Sequence, residues 1–216
     1  MGLFKRKNKT PEPEWLSEKD MAAFEKMVSE EIGKHEKVFH ELASLDLHID
    51  VIPVPPSEKR DYYTLITMGM SGYPMPVPSN YGKMNRAEIA VRLPKDWDVN
   101  SAFAFDEKWY WPIRMIKTLA RMPYQEKSWL GYYHDIDFGA PFSEETELCG
   151  VMLDIFDESI EPLKLSNGDE VVIYNAIPIY RSEMEYKLEE SGKALAAKMN
   201  DDILHGPVDI HRASVV

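Results

Sequence analysis

The order of helix and strand patterns along the 216 residues is the feature that most limits the possible folds. One helical pattern is followed by three strand patterns, a second helix, further strands and a third helix. A doubly wound parallel sheet needs regular alternation of strands and helices, and this chain does not alternate in that way. The sequence therefore predicts an α+β fold. We expect a single domain with a mainly antiparallel mixed sheet and three principal helices packed on it.

The N-terminal part of the chain divides into a tail and a helix. Residues 1–14 carry four cations and the prolines of TPEPE, which predict a disordered basic tail. Ser17-Glu-Lys-Asp has the spacing of a capping box. Residues that can face a core then recur every three or four positions, at Met21, Phe24, Val28, Ile32, His35, Phe39 and Leu42. We expect an N-terminal amphipathic helix over residues 15–44 that packs onto a domain formed by residues 45–216.

The strands are indicated by alternating or branched apolar residues. Such patterns cover residues 47–54, 62–69, 87–94, 148–156 and 163–180. The third pattern predicts a half-buried antiparallel strand, because Glu88 and Arg92 alternate with apolar neighbours. The Asn167-Gly168 pair between two apolar runs predicts a hairpin turn.

Two further helices are predicted from their end signals. Pro112 suits the first position of a helix that Pro123 would end. Ser182–Glu185 has the capping-box pattern and opens a third helix that runs to about Asn200, with Leu188 on its inner face.

A strong negative charge limits the partners that this chain can attract. The 25 Lys and Arg residues against 37 Asp and Glu residues give a formal charge of −12. A chain of this charge repels nucleic-acid phosphates, so we expect no nucleic-acid ligand, whereas a basic protein would be attracted. The single cysteine, Cys149, allows no internal disulfide, and no apolar run reaches the roughly 20 residues of a membrane helix. We therefore expect a cytoplasmic protein with no membrane span.

Motifs of catalysis are missing from the sequence, which has no glycine-rich phosphate loop, G-x-S-x-G, H-E-x-x-H or paired C-x-x-C. We predict no catalytic residue and no cofactor. One alternative remains open, a metal-dependent enzyme with an unrecognised site. Its ligands would come from the strand pattern at 134–137, where Asp135 and Asp137 share a face, or from Asp209 and His211 near the C-terminus.

The densest cluster of aromatic residues lies between Trp109 and Tyr133. Core packing accounts for most such rings, but aromatic residues beside acids also have the composition of a protein-binding surface. We predict a partner-binding site formed by Trp129, Tyr132, Tyr133, His134, Asp135 and Asp137.

Five segments together resemble the bacterial members of the suppressor of fused family. They are AEIAVRLPKDWD, WPIRMIKTLARMPYQEKSWLGYYHDIDFGAPF, ELCGVMLDIF, GDEVVIYNAIPIYRSEMEYKLEESGKALAAKM and DIHRASVV. The resemblance covers about residues 45–216 and depends on the order and spacing of the segments.

The resemblance implies a non-enzymatic protein-binding module. The animal relative sequesters Gli-type transcription factors by adding an extended peptide as a strand between its two domains. The Tyr and Asp that it uses on the peptide fall near Met122 and His134 here. Bacterial members imply an immunity-type inhibitor that sequesters a partner protein or toxin. The implied partner is another protein, either a basic toxin domain or an extended peptide.

Overall fold

The computed structural model describes residues 16–41, 44, 46–78 and 84–216. The predicted tail, residues 1–14, lies outside this part of the chain. Strands in the described residues are β1 Asp50–Val54, β2 Tyr62–Met68, β3 Arg86–Pro94, β4 Asp135–Asp137, β5 Gly150–Ile155, β6 Leu163–Lys164 and β7 Glu170–Ile179. Helices there are α1 Glu18–Met27, α2 Val99–Phe103, α3 Glu107–Glu126, α4 Arg181–Glu189, α5 Gly192–Ala196 and α6 Asp201–His205.

The strands described form one mixed sheet in the order β1-β2-β3-β7-β5-β4, with β6 paired to β7. β3 and β7 lie side by side in parallel, from Arg86 opposite Val171 to Ala90 opposite Asn175. The other strand pairs described are antiparallel. The predicted α+β fold with a mainly antiparallel mixed sheet is therefore confirmed, and so is the hairpin at Asn167-Gly168, which joins β6 to β7.

One face of the sheet is covered by the long helix α3. The Asp106 carboxylate accepts a hydrogen bond from the Lys108 N–H at 3.1 Å and caps the helix, which therefore begins five residues before the predicted Pro112. Pro123 does not end the helix as predicted but lies inside it. A proline removes one helical hydrogen bond, and the burial of the apolar face of α3 against the sheet outweighs that loss.

The other face is covered by α1 beside the three C-terminal helices. Ser17 caps α1 as predicted, because its hydroxyl accepts a hydrogen bond from the Asp20 N–H at 3.1 Å. The helix continues through a wider π-helical turn, Val28–Ile32, and ends at Gly33. It is therefore much shorter than the predicted 15–44.

The segment after Gly33 approaches the sheet instead of continuing the helix. A Cβ atom on Gly33 would lie only 2.8 Å from a methyl group of Val54, so the chain passes close to β1 at this point. Phe39 forms a bridge with Val51, and the segment lies along the edge of β1. The helical spacing of His35 and Phe39 therefore does not reflect a helix.

The predicted third helix is broken into α4 and α5, because Ser191 caps the start of a separate helix, α5, in the second half of the predicted range. The N-terminal cap of α4 is Tyr180, whose N–H donates to the Glu183 carboxylate at 2.8 Å, so the predicted cap at Ser182 is wrong. Leu188, predicted to face inwards, is 80% exposed.

The position of this cap follows from a buried ion pair. Glu183 is fully buried, and its two oxygens accept hydrogen bonds of 2.6 Å each from the Arg212 guanidinium. The Val215 N–H donates to the same carboxylate at 3.1 Å. The C-terminal segment is thereby fixed to the start of α4.

β3 is buried on both faces, including Glu88 and Arg92, so the prediction of a half-buried strand is wrong, whereas the predicted antiparallel pairing is found with β2. The Glu88 carboxylate accepts hydrogen bonds from the hydroxyls of Thr67 and Ser71 and from the N–H groups of Gly69 and Ser71. Burial nevertheless raises the pKa of Glu88, and these donors oppose that shift.

Replacing Arg212 by Ala should lower the free energy of unfolding by about 3–5 kcal/mol, because it leaves the buried Glu183 carboxylate without its cation. Chemical denaturation followed by circular dichroism measures the change. The matched control is Arg181→Ala, since the Arg181–Asp137 pair is about half exposed and should contribute at most about 1 kcal/mol. Equal effects of the two substitutions would contradict the structural role assigned to Arg212.

Candidate protein-binding site

The predicted site lies at an open edge of the sheet. β4 is the outermost strand and pairs with β5 on one side. The His134 carbonyl and the Phe138 N–H bond towards β5, to Leu153 and Cys149. Antiparallel hydrogen bonds alternate along a strand, so the backbone groups of Asp135 and Asp137 point away from β5. The described residues provide no hydrogen-bond partner for these outward groups.

A tight turn holds the two predicted tyrosines in front of β4. The His134 N–H donates to the Gly131 carbonyl at 3.0 Å, and Tyr133 has a positive φ of 61°. Few aromatic residues adopt this backbone conformation. The turn exposes Tyr132, which is 45% accessible, while Tyr133 packs against Gly192 at the start of α5. The ring centroids of Tyr132 and Tyr133 are 3.8 Å apart.

Trp129 and His134 form a second ring pair behind the turn. Their ring centroids are 4.3 Å apart and both side chains are half-buried. Burial and the nearby Lys187 ammonium lower the pKa of His134, while the Trp129 carbonyl and Asp135 oppose that change. His134 is therefore neutral at pH 7 and serves as a packing partner for the indole.

The two acids of the predicted site are paired within the chain. Asp135 binds the Lys187 ammonium, and Asp137 accepts hydrogen bonds of 2.9 and 3.1 Å from the Arg181 guanidinium. This arrangement lowers the pKa of Asp137. Both cations come from α4, so the acids fasten β4 to that helix. They share a face as the sequence predicted, but their negative charges are largely offset by these two cations of the same chain.

The structure does not assemble the metal ligands of the alternative enzyme hypothesis. Asp209 accepts a hydrogen bond from the His211 N–H at 2.9 Å and so stabilises its own turn. Across the described part of the chain, no group of three or more His, Cys, Asp or Glu side chains is arranged to hold a metal ion.

Sequence reasoning missed a row of buried polar residues in the middle of the sheet. Asp154 and Asn175 face each other across β5 and β7, and Asn175 lies opposite Ala90, two residues before Arg92. The charged residues of β3 alternate with apolar ones, which made them resemble a solvated face. The detectable signal was the apolar residue on either side of each charge, Ala87 and Ile89 beside Glu88 and Val91 and Leu93 beside Arg92, since apolar residues on both faces are typical of a central strand.

Lowering the pH should remove the contribution of His134 to stability. The unfolded His134 titrates near its usual value of about 6.5, and its folded pKa is lower. The unfolded chain thus binds more protons in the window below about 6.5, so stability falls as the pH falls through it. Denaturation between pH 7.5 and 5 should show His134→Gln losing less stability than the unmodified protein.

His205→Gln, at an exposed histidine, serves as the control. A stability difference between His134→Gln and the unmodified protein that stays constant over this pH range would refute the role given to burial.

In the described residues, none of the helices is both long and apolar enough to cross a membrane. The model of the family "Suppressor of fused protein (SUFU)" matches residues 46–213. A relative by sequence is the uncharacterized protein UU111 of Ureaplasma parvum, which is 25% identical over 163 residues, covering 74% of this chain and 76% of that protein.

Three solved structures share the fold. A crystal structure of the Sufu–Fu complex matches with a TM-score of 0.63 at 14% identity, covering 95% of this chain and 93% of that one. A SUFU homolog from Neisseria gonorrhoeae matches with a TM-score of 0.62 at 16% identity, covering 91% and 94%. Drosophila Suppressor of Fused matches with a TM-score of 0.55 at 15% identity, covering 78% of this chain but 43% of that protein. Since the family model matches most of the chain, this protein belongs to the suppressor of fused family.

Proposed function

We propose that this protein is a non-enzymatic binding module that captures an extended segment of another protein at the β4 edge. The observation that carries the proposal is the row of outward backbone groups on β4 without hydrogen-bond partners among the described residues. An exposed strand edge of this kind is a template for an added strand. Main-chain hydrogen bonds would supply affinity, and side chains beside the edge would supply selectivity.

The surroundings of the edge favour this role. Tyr132 stands exposed next to β4 and offers an aromatic anchor, the residue type enriched at the energetic centres of interfaces. Trp129, Tyr133 and His134 hold the turn that presents it. Asp135 and Asp137 bind α4 and keep the three-residue strand in place. A preformed edge lowers the entropic cost of binding.

Membership of the suppressor of fused family supports a protein partner, since one similar structure is that of a Sufu–Fu complex. We further propose an immunity-type role, in which the partner is a basic toxin domain. The formal charge of −12 supports this choice, because opposite net charges speed the encounter of two proteins. The charges of Asp135 and Asp137 contribute little to this attraction, because Lys187 and Arg181 already offset them.

Asp137→Pro should weaken binding of the partner about tenfold or more, because it removes an outward N–H and places a ring at the edge. Asp137→Ala is the matched control, since it removes the same Arg181 ion pair but keeps the N–H. Each variant would be used as bait in extracts of the native cell, with quantitative mass spectrometry of the captured proteins. Surface plasmon resonance would then give affinity and salt dependence for the purified partner.

The proposal expects a captured protein that Asp137→Ala retains and Asp137→Pro loses. Equal retention by both variants would exclude strand addition at β4. An association rate that does not change with ionic strength would exclude the electrostatic part of the immunity-type role.

A further inference from the structure

The face of the sheet opposite α3 carries a row of polar side chains between two apolar clusters. On β7, Ile173 belongs to the cluster under α1 and Ile177 to the cluster under the C-terminal helices, with Asn175 between them. On β5, Met152 belongs to the C-terminal cluster, and Asp154 follows it on the same face. Polar side chains thus fill the strip of sheet between the two clusters, where the Asn175 side chain donates to the Leu204 carbonyl of α6.

Arg92 is the unusual member of this strip because it is 5% exposed yet has no ion-pair partner among the described residues. Its Nη2 donates to the Phe156 carbonyl, and its guanidinium lies 4.2 Å from the centroid of the Phe156 ring. Its Nε and Nη1 are buried and have no hydrogen-bond partner in the described structure. A buried donor without a partner lowers the stability of the fold, and the loss is larger when the donor is charged.

A second arginine faces the same space. Arg60 lies 5.9 Å from the Phe156 ring centroid, and its Nη1 is likewise buried without a partner among the described residues. Arg60 and Arg92 both line a cavity of about 620 Å³. Arg60 repels the Arg92 guanidinium and is one of the groups, after burial, that lower the pKa of Arg92. An anion in the cavity would relieve this repulsion and bind the free donors.

The charges around the cavity favour an anion with a single negative charge. Asp157 is occupied, since it accepts hydrogen bonds from Arg60 at 3.3 Å and from Ser159. Burial raises the pKa of Asp154. Lys59 and Glu158 also line the cavity, and both are exposed to solvent, which screens their charges. Arg92 forms no ion pair among the described residues, so a singly charged anion can bind its free donors, whereas a doubly charged phosphate would add an excess negative charge beside Asp154, Asp157 and Glu158.

The remaining walls favour an apolar body attached to that charge. Tyr62, Tyr132 and Phe156 contribute aromatic surface to the cavity. The Tyr62 hydroxyl comes close enough to Arg92 to oppose the lowering of its pKa, but it does not meet the geometry of a hydrogen bond to Nε or Nη1. The volume of this cavity is in the range that binds small organic ligands.

A larger cavity of about 770 Å³ beside α1 does not present the same imbalance. His40 and His48 line it, and each bonds one oxygen of the buried Asp50 carboxylate at 2.8 Å. Its most deeply placed charge is therefore already matched, which leaves the Arg92 cavity as the better candidate for a ligand.

We propose that the cavity between Arg60 and Arg92 binds a monocarboxylate with an apolar or aromatic body. The carboxylate would accept hydrogen bonds from both guanidiniums, and its body would lie against Tyr62, Tyr132 and Phe156. This site is separate from the strand-addition proposal, although Tyr132 lies between the two. It requires no partner protein, so its failure would not affect the role of β4.

Titration calorimetry of the full chain with sodium benzoate tests the site. Benzoate should bind in a 1:1 ratio. Benzamide, which has the same shape without the charge, should have an affinity at least about tenfold lower. Arg92→Met and Arg60→Met should each weaken benzoate binding about tenfold or more. Lys108→Met is the control, because it removes one positive charge from α3 on the opposite face of the sheet and should leave binding unchanged.

If Arg92→Met fails to fold, Arg60→Met still tests the proposal, since Arg60 lies in a loop and is partly exposed. N-acetylphenylalanine and its amide form the second arm. Tighter binding of N-acetylphenylalanine than of benzoate, with no binding of its amide, would identify the C-terminus of a polypeptide as the source of the carboxylate. Tighter binding of benzoate would identify a free small molecule. Absence of benzoate and N-acetylphenylalanine binding, tighter binding of inorganic phosphate, or binding unaffected by Arg60→Met would overturn the proposal.

Discussion

The parallel pairing of β3 with β7 is the interaction on which the rest of this structure depends. Two antiparallel groups of strands, one from each half of the chain, meet at this pair. Parallel neighbours need a long connection, and here the connection carries α3, which covers one face. The other face is covered by helices from both ends of the chain. The central strands are thereby buried on both sides, which is the usual condition for parallel pairing.

Burying the central strands also buries several charges, and the structure stabilises each of them differently. Glu88 receives four hydrogen bonds from one loop and its neighbouring strand. Glu183 is matched by Arg212 in a two-pronged pair that fixes the C-terminus. Among the described residues, Arg92 has the Phe156 carbonyl and the rings of Phe156 and Tyr62 beside it but no carboxylate in an ion pair. Since a buried charge is costly unless matched, this difference separates structural charges from one available to a ligand.

The two outer strands differ in the same way. The outer side of β1 is bridged by the segment that contains Phe39. The outer side of β4 has no such cover among the described residues, and a turn places Tyr132 beside it. Folded proteins usually protect their strand edges against pairing with other chains. The unprotected edge of β4, with its aromatic neighbour, is therefore the edge at which we propose that a partner strand binds.

Local sequence determined the elements whose signals involve only near neighbours. The strand β2, the Asn167-Gly168 turn and the Ser17 cap were all predictable, because each depends on backbone geometry within a few residues. The resemblance of five segments to one family also led to the correct fold. For the candidate site, the sequence predicted the stretch 129–137 as partner-binding, which stays a prediction, and it correctly predicted the shared face of Asp135 and Asp137.

Only the tertiary structure decided which of these residues are already paired within the chain and which remain available to a partner. The partners of Asp135 and Asp137 lie about 50 residues away on α4, and no local pattern connects them. The helix predicted over residues 15–44 ends at Gly33 because the chain turns there towards β1. β3 is buried because α3 covers one of its faces and the cluster under α1 packs against Ala90 on the other. Local periodicity reports which face of an element is apolar. Whether a charged face meets water, an ion-pair partner or an empty cavity depends on what the rest of the chain places against it.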